Sequence, residues 1–416
     1  MRSLKYIGLL LHILCIQLVS EATDTLNIKK VMTLEEILSK IEENPALAQY
    51  TERVNAINAY AKSVRAWEPP TVESGLWMTP YNLKGDMGAF MISGRQMIPN
   101  PAMLRAEEKY MKSMSGVEEQ MKKNERQELI VKAKQLYYEW LVLEKKKKVL
   151  IESQELLDVM IKSAEIGFTY NQNLLSRVYK AKSELYNLYN MQVMYENEIR
   201  QKNIQLNTIM NQDKSFVFQI DTSYQVSLSS DYSVDSISLL ASRSDLQQIE
   251  ESVKALQLKQ RFEQSKRYPQ FGIEYGHMSS FGSVPNQFNL MGMVTIPIAP
   301  WSDKGYKASI KGAGFEIASL ERRKEAIINK LMGELSLLLQ EIHSKQAQIE
   351  MYEKNILPVL EKNYKASLVS FEHMKEDLFM AIDAWMALKM AKIAHLDLIA
   401  ERLMLEAAYE RIIEKE

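Results

Sequence analysis

Tyr268-Pro269-Gln270-Phe271-Gly272-Ile273-Glu274-Tyr275-Gly276 closes one kind of structure and opens another. The residues before it, from Ser233 to Lys266, carry apolar side chains at helical spacing, and Pro269 stops them because proline has no amide to give a helix. From Gln270 the pattern alternates. Phe271, Ile273 and Tyr275 fall on one face of a strand, and Gly272, Glu274 and Gly276 fall on the other. About 199 residues earlier the same punctuation stands at Pro70. At that offset Leu47 meets Leu246, Ile98-Pro99 meets Ile296-Pro297, and Gly167-Phe168 meets Ser370-Phe371. The period is far longer than the roughly 20–50 residues of solenoid repeats. It reads as one unit written twice, in the order helix, hairpin of strands, long helix, returning helix.

In the first unit, residues 23–211, the spacing predicts a helix from Thr33 to Trp67, opened by a capping box of Thr33 and Glu36. Pro69-Pro70 stops it, and strands follow at Val72–Met78 and Ala89–Met97, within about 70–98, around a polar tip from Thr79 to Asp86. From Met103 to Glu165 there is no proline and one glycine, Gly116. A helix of that length is on the order of 95 Å long, which suits a coiled coil and not a globular core. Gly167 offers a stop, and Asn173 can cap a helix from Leu174 to Asn211. A linker, 212–232, holds a short strand at Ser215–Ile220. In the second unit, 233–416, strands at Gln270–Met278 and Phe288–Ile296 (within about 269–298) precede a long helix from Ser302 to Ser367. Asp377 can cap a last helix reaching Ile413. In each unit the first and third helices together nearly match the long one, so they are expected to stack end to end beside it. The strands then lie at one end of a rod about 100 Å tall and both helix turns at the other.

The 416 residues are 46% hydrophobic and 25% charged, with a net charge of -1, which gives no reason to expect nucleic acid as a partner. Residues 1–22 read as a secretory signal: Arg2 and Lys5, an apolar run from Tyr6 to Ile16, then Ser20 and Ala22 before the cleavage point. Cys15 lies inside that run, so the mature chain is expected to lack cysteine. Beyond the signal there is no apolar run of about 18 residues, so a helical span is excluded. Entry into a membrane would require strands closed into a barrel. In the second hairpin Phe288, Leu290, Gly292, Val294 and Ile296 share a face; in the first, Phe90 and Ile92 oppose Ser93 and Arg95. This alternation suits a membrane barrel, and equally a half-buried sheet packed on helices. Four strands cannot close a membrane barrel, which needs about eight or more, so several chains would have to share one.

These residues resemble the TolC-like outer-membrane efflux channel family. The resemblance rests on Arg243-Ser244-Asp245-Leu246, on Tyr268-Pro269-Gln270-Phe271-Gly272 and on Val294-Thr295-Ile296-Pro297-Ile298. Ile356-Leu357-Pro358 with Tyr364, and Asp377-Leu378, add to it. Ile98-Pro99-Asn100-Pro101 resembles the metal-cation efflux branch. The resemblance implies a mainly α fold with a small β part, assembled as a homotrimer with a periplasmic α-barrel and a twelve-stranded β-barrel in the outer membrane of a Gram-negative bacterium. It also implies a periplasmic adaptor (membrane fusion) protein and an inner-membrane pump as partners, with outer-membrane lipid around Phe271, Ile273, Tyr275, Phe288 and Leu290. Ser370 stands where many members have glycine.

The two turns are the candidate docking site for the adaptor: Gly167, Asn173, Leu174 and Leu175 in one, Ser370, Asp377 and Leu378 in the other. Ordinary stop-and-cap chemistry explains the same residues. Glu372, Glu376 and Asp377 could form an acidic ring at the entrance, or remain solvated surface acids. Met87, Met91, Met97, Met103, Met111 and Met114, among 24 methionines, suit a soft metal such as Cu(I), and equally suit packing between helices. Lys145-Lys146-Lys147-Lys148 reads as a solvated face or an adaptor stripe. His277, His343, His373 and His395 are too dispersed for a metal site. No catalytic motif is present and no cofactor is called for, so the reading is a passive exit duct and not an enzyme. The rival reading is a periplasmic coiled-coil adaptor with a soluble sheet.

Overall fold

A computed structural model of the chain describes residues 30–81, 87–168, 175–223, 243–373 and 378–414. The chain is mainly helical with a small β part. After β1 (Val31–Met32) comes α1 (Leu34–Ser39), opened by the expected capping box: Thr33 Oγ1 accepts from the Glu36 amide at 3.2 Å, and the Glu36 carboxylate accepts from the Thr33 amide at 3.3 Å. The single helix expected from Thr33 to Trp67 is in fact broken. A 3₁₀ turn (Lys40–Glu43) leads to Asn44, which is extended, and α2 (Pro45–Ser63) starts afresh. Pro45 forces the break, because the residue before a proline is pushed out of the helical region. Asn44 then caps α2 through the Ala46 amide at 2.9 Å.

Strands β2 (Thr71–Trp77) and β3 (Ala89–Ile98) lead to α3 (Pro101–Phe168), whose 68 residues make it about 100 Å long. Asn100 caps it through the Ala102 amide at 2.9 Å. The helix is described as far as Phe168, one residue past Gly167. Gly116 has a packing role, because a Cβ there would stand 3.0 Å from the Glu251 carboxylate on the neighbouring helix. Helix α4 (Leu175–Ile209) returns, and the linker strand shrinks to β4 (Gln219–Ile220). Its expected beginning at Ser215 is instead a turn in which Asp213 accepts from the Ser215 amide at 2.9 Å. β4 pairs in parallel with β1, Met32 opposite Ile220.

Helix α5 (Ser244–Ser265) begins later than Ser233, since Arg243 is extended. Strands β5 (Gln270–Ser280) and β6 (Gln287–Thr295) follow. The second long helix comes as α6 (Lys304–Met351), a π turn (Tyr352–Ile356) and α7 (Leu357–Glu372). Pro358 accounts for the π turn: its ring needs room against the preceding turn and it cannot donate to the helix, so the ladder widens just before it. Helix α8 (Leu378–Ile413) is the last.

Packing arranges the helices as four columns. Stacked α2 and α4 lie beside α3, α3 lies beside stacked α5 and α8, and these lie beside α6 and α7. Both stacks are tied at mid-height in the same way. The Asn44 amide group donates to the Ile209 carbonyl at 2.7 Å, joining α2 to α4. About 199 residues on, Arg243 donates to the Ile412 carbonyl at 2.6 Å, joining α5 to α8, while Glu414 accepts from the Ser244 amide at 2.9 Å. The largest core cluster surrounds the first junction, with Ile37, Leu47, Tyr137, Trp140, Phe218 and Leu403 among its buried residues.

Candidate functional site

The four long strands form one antiparallel sheet in the order β2-β3-β5-β6. Its register sets Arg95 opposite Glu274, and Glu274 opposite Met291. One face therefore carries Glu73, Ser93, Arg95, Gly272, Glu274, Gly276 and Asn289; the other carries Val72, Phe90, Ile92, Phe271, Ile273, Tyr275, Phe288, Leu290 and Val294. Burial on these faces is the reverse of a water-soluble sheet. Ser93 is 3% exposed and Glu274 7%, while Phe271 is 53% and Leu290 68% exposed. On the covered face Arg95 bonds Glu274 at 2.9 Å and lies 3.7 Å from Glu73. The glycines serve this face: a Cβ on Gly276 would meet the Asn289 side chain at 2.1 Å, and one on Gly272 would meet the Met97 sulfur at 2.6 Å. Among the described residues β2 and β6 each have one unpaired edge.

At the far end of the rod, the flanks of both helix turns share one core. Leu157, Met160 and Ile161 of α3, Val178 and Ala181 of α4, Tyr364 of α7, and Leu378, Ala381 and Ile382 of α8 pack together. Leu378, read from sequence as a docking residue, is 1% exposed and holds this core. Ser370 lies near the end of α7, half-buried beside exposed Val369, and Glu372 is exposed at its last position. Leu175 is the first residue of α4. Asn173, Leu174, Glu376 and Asp377 lie outside the described residues.

No sequence-family model matches the chain, and no curated protein matches it in sequence. Solved structures do match in shape, over nearly the whole chain. The outer membrane protein VceC of Vibrio cholerae aligns with a TM-score of 0.69 at 14% identity, covering 91% of this chain and 95% of that one. The Campylobacter jejuni outer membrane channel CmeC aligns with a TM-score of 0.70 at 12% identity, covering 91% and 85%. CusC, studied for folding and transmembrane channel formation, aligns with a TM-score of 0.74 at 16% identity, covering 91% of each chain. The fold is that of the TolC-like outer-membrane channels.

On this channel fold the remaining candidates fall into place. Lys146 bonds Asp397 of α8 and lies over the Tyr195 ring, and Lys147 reaches Glu196 of α4 at 3.4 Å. Half of the lysine run is thus stitching between helices, not a solvated face. Met91 and Met97 share the face of Glu274 with Met278, Met291 and Met293, of which Met291 is exposed. Met103 sulfur accepts from the Gln270 side chain at 3.7 Å, and Met87 is exposed. Among the described residues no group of three or more His, Cys, Asp or Glu could hold a metal. His395 stacks on Tyr352 of the π turn, with Nε2 3.3 Å from Glu353. Among the described residues no helix is long and apolar enough to cross a membrane.

The mid-height ties of Asn44 and Arg243 escaped sequence reading. The two residues stand at the same 199-residue offset as the prolines, but as an asparagine and an arginine they share no residue type that would mark a common role.

Proposed function

We propose that the chain is one of three identical protomers of an outer-membrane channel, the passive exit duct of a tripartite efflux system in a Gram-negative bacterium. The observation that carries this reading is the inverted sheet, whose apolar face is the exposed one. In water each outward apolar side chain forgoes about 25 cal/mol per Å² of burial; in lipid the same face is the one required. Open strand edges are not tolerated in hydrocarbon. Three copies supply twelve strands and remove both edges, with β6 of one copy pairing to β2 of the next. The helices favour the same closure: among the described residues α3 and the α5/α8 stack are each flanked on two sides, whereas the α2/α4 and α6/α7 columns are each flanked mainly on one. Both edge columns bear exposed apolar side chains, including Tyr179, Tyr186 and Val193 on α4, and Leu337, Met351 and Val359 on α6 and α7.

In this reading an inner-membrane pump supplies the energy and a periplasmic adaptor docks at the helix turns. The turn residues Gly167, Asn173, Leu174, Leu175, Ser370, Asp377 and Leu378 shape that mouth, with Leu378 acting from the core. The deciding experiment is fractionation with gel migration of unboiled samples. A channel is recovered with the outer membrane, migrates differently before boiling and conducts ions in a planar bilayer. Mature protein in the soluble periplasm would instead fit the adaptor reading and end this one. Docking is tested by cysteine crosslinking from exposed Val369 and Met380; an active strain in which neither crosslinks to an adaptor refutes the docking site.

A further inference from the structure

The exposed apolar line of the sheet does not stop at the last strand. From Val294 it continues through Ile296 and Ile298 to Trp301, which is 83% exposed just before α6 begins at Lys304. At the same level the chain enters β5 through Arg267 and the exposed ring of Tyr268. The ends of α5 and α6 adjoin in antiparallel fashion: the Gln260 side chain donates to the Ile310 carbonyl at 3.0 Å, and Lys259 approaches Glu316 at 3.7 Å. Continuing that pairing toward the sheet brings Arg267 beside Lys304 and Tyr306. The Arg267 guanidinium sits 5.1 Å over the Tyr268 ring and bonds its hydroxyl at 3.3 Å. Among the described residues neither Arg267 nor Lys304 has an acidic partner, whereas nearby Lys266 is paired to Glu263 and Lys307 to Asp303.

Two cations without an acidic partner among the described residues and three aromatic residues thus stand just before β5 and at the start of α6, where the exposed apolar line gives way to helices. Tyrosine and tryptophan favour that boundary, and basic side chains extend from it toward phosphate groups. The first hairpin differs at the Arg267 position: Trp67-Glu68 stands at the offset of Lys266-Arg267 and Arg65 is paired to Glu108 at 2.8 Å, while the offset of Lys304 is held by Arg105. We propose that Arg267 and Lys304, with Tyr268, Trp301 and Tyr306, form a headgroup site for an anionic glycerophospholipid of the leaflet facing the helices. The site rests on the membrane reading of the sheet. It gives each protomer a preferred lipid at the second hairpin, where Arg267 stands in place of the first hairpin's Glu68.

The test is quenching of tryptophan fluorescence in the reconstituted full-length protein by brominated phosphatidylglycerol and by brominated phosphatidylcholine. The component lost in Trp301→Phe reports this site. That component should favour the anionic lipid by about fivefold or more at low ionic strength, on the scale of one basic residue near a charged surface. The preference should weaken as salt is raised. It should fall close to unity in the Arg267→Gln, Lys304→Gln double variant, survive in Arg267→Lys, and be unaffected in Arg65→Gln. Equal quenching by the two lipids in the native protein overturns the headgroup site and leaves the barrel standing, as does a preference that persists in the double variant. Quenching by neither lipid overturns both.

Discussion

Around the helix turns, single residues carry costs that the core does not recover. Tyr364 is buried, and among the described residues its hydroxyl has no hydrogen-bond partner; the same holds for the indole nitrogen of Trp385. Removing a buried, unpaired hydroxyl removes a desolvation penalty, so Tyr364→Phe is expected to stabilise the fold by roughly 1 kcal/mol. A higher midpoint of denaturant unfolding with an unchanged slope is the expected record, and a lower midpoint would reveal a partner for the hydroxyl. Lys389 lies in the same region, buried, with its ammonium 4.8 Å over the Trp385 ring. Burial lowers its pKa below the usual lysine value, partly opposed by Glu184. The folded state therefore holds the proton less tightly than the unfolded chain, and stability rises with pH between the lowered pKa and the ordinary one. Below that window the penalty is present in full; above it the lysine is neutral in both states and the penalty is gone. Lys389→Met should accordingly be more stable than the native protein at neutral pH. Its advantage should shrink as the pH is raised toward 10.5 and beyond, measured as the difference between the two unfolding midpoints.

At the scale of elements, the two mid-height junctions join the helices of each stack end to end, α2 to α4 and α5 to α8. Asn44 has two roles, capping α2 through the Ala46 amide and satisfying the last carbonyl of α4. Asn44→Ala loses a cap worth about 1 kcal/mol and leaves a buried carbonyl unpaired, so a loss of about 2–3 kcal/mol is expected. Chemical denaturation measures it, and a loss under half of that would mean water replaces the bond to Ile209. What could be read in advance follows the range of the interaction. The capping box of Thr33 and Glu36 spans three residues, so it was legible in the sequence and stands in the structure. The break at Pro45 was equally local, but the apolar periodicity on either side concealed it. The tie from Asn44 to Ile209 crosses 165 residues, and that from Lys146 to Asp397 crosses 251, so no local pattern encodes them. At Asn173 and Asp377 a cap and a docking residue have the same local signature, so the sequence does not separate the two roles.

At the scale of the whole molecule, the alternation in Phe271–Gly276 was readable because side chains of a strand change face at every residue. Which face meets lipid was not readable, since an apolar face packed on helices has the same alternation. Burial supports the proposed choice: on the central strands the small and polar face is covered at Ser93 and Glu274, while Phe271, Ile273 and Tyr275 on the other face are exposed. Leu290 and Met291 are adjacent on β6 and belong to opposite faces, with Leu290 opposite Tyr275 and Met291 opposite Glu274. They sit near the middle of the strand, where the bilayer midplane would fall. Arginine on the lipid face at that depth costs about 2–4 kcal/mol, whereas an interior position is solvated and, at Met291, has a carboxylate beside it. Leu290→Arg is therefore expected to reduce the unboiled, fast- or slow-migrating folded species recovered from the outer membrane several-fold. Met291→Arg should leave its amount near the native level while altering ion selectivity in a planar bilayer. Equal losses in the two variants would mean that the faces do not differ in solvent, and a soluble sheet would then be the better account of the same strands.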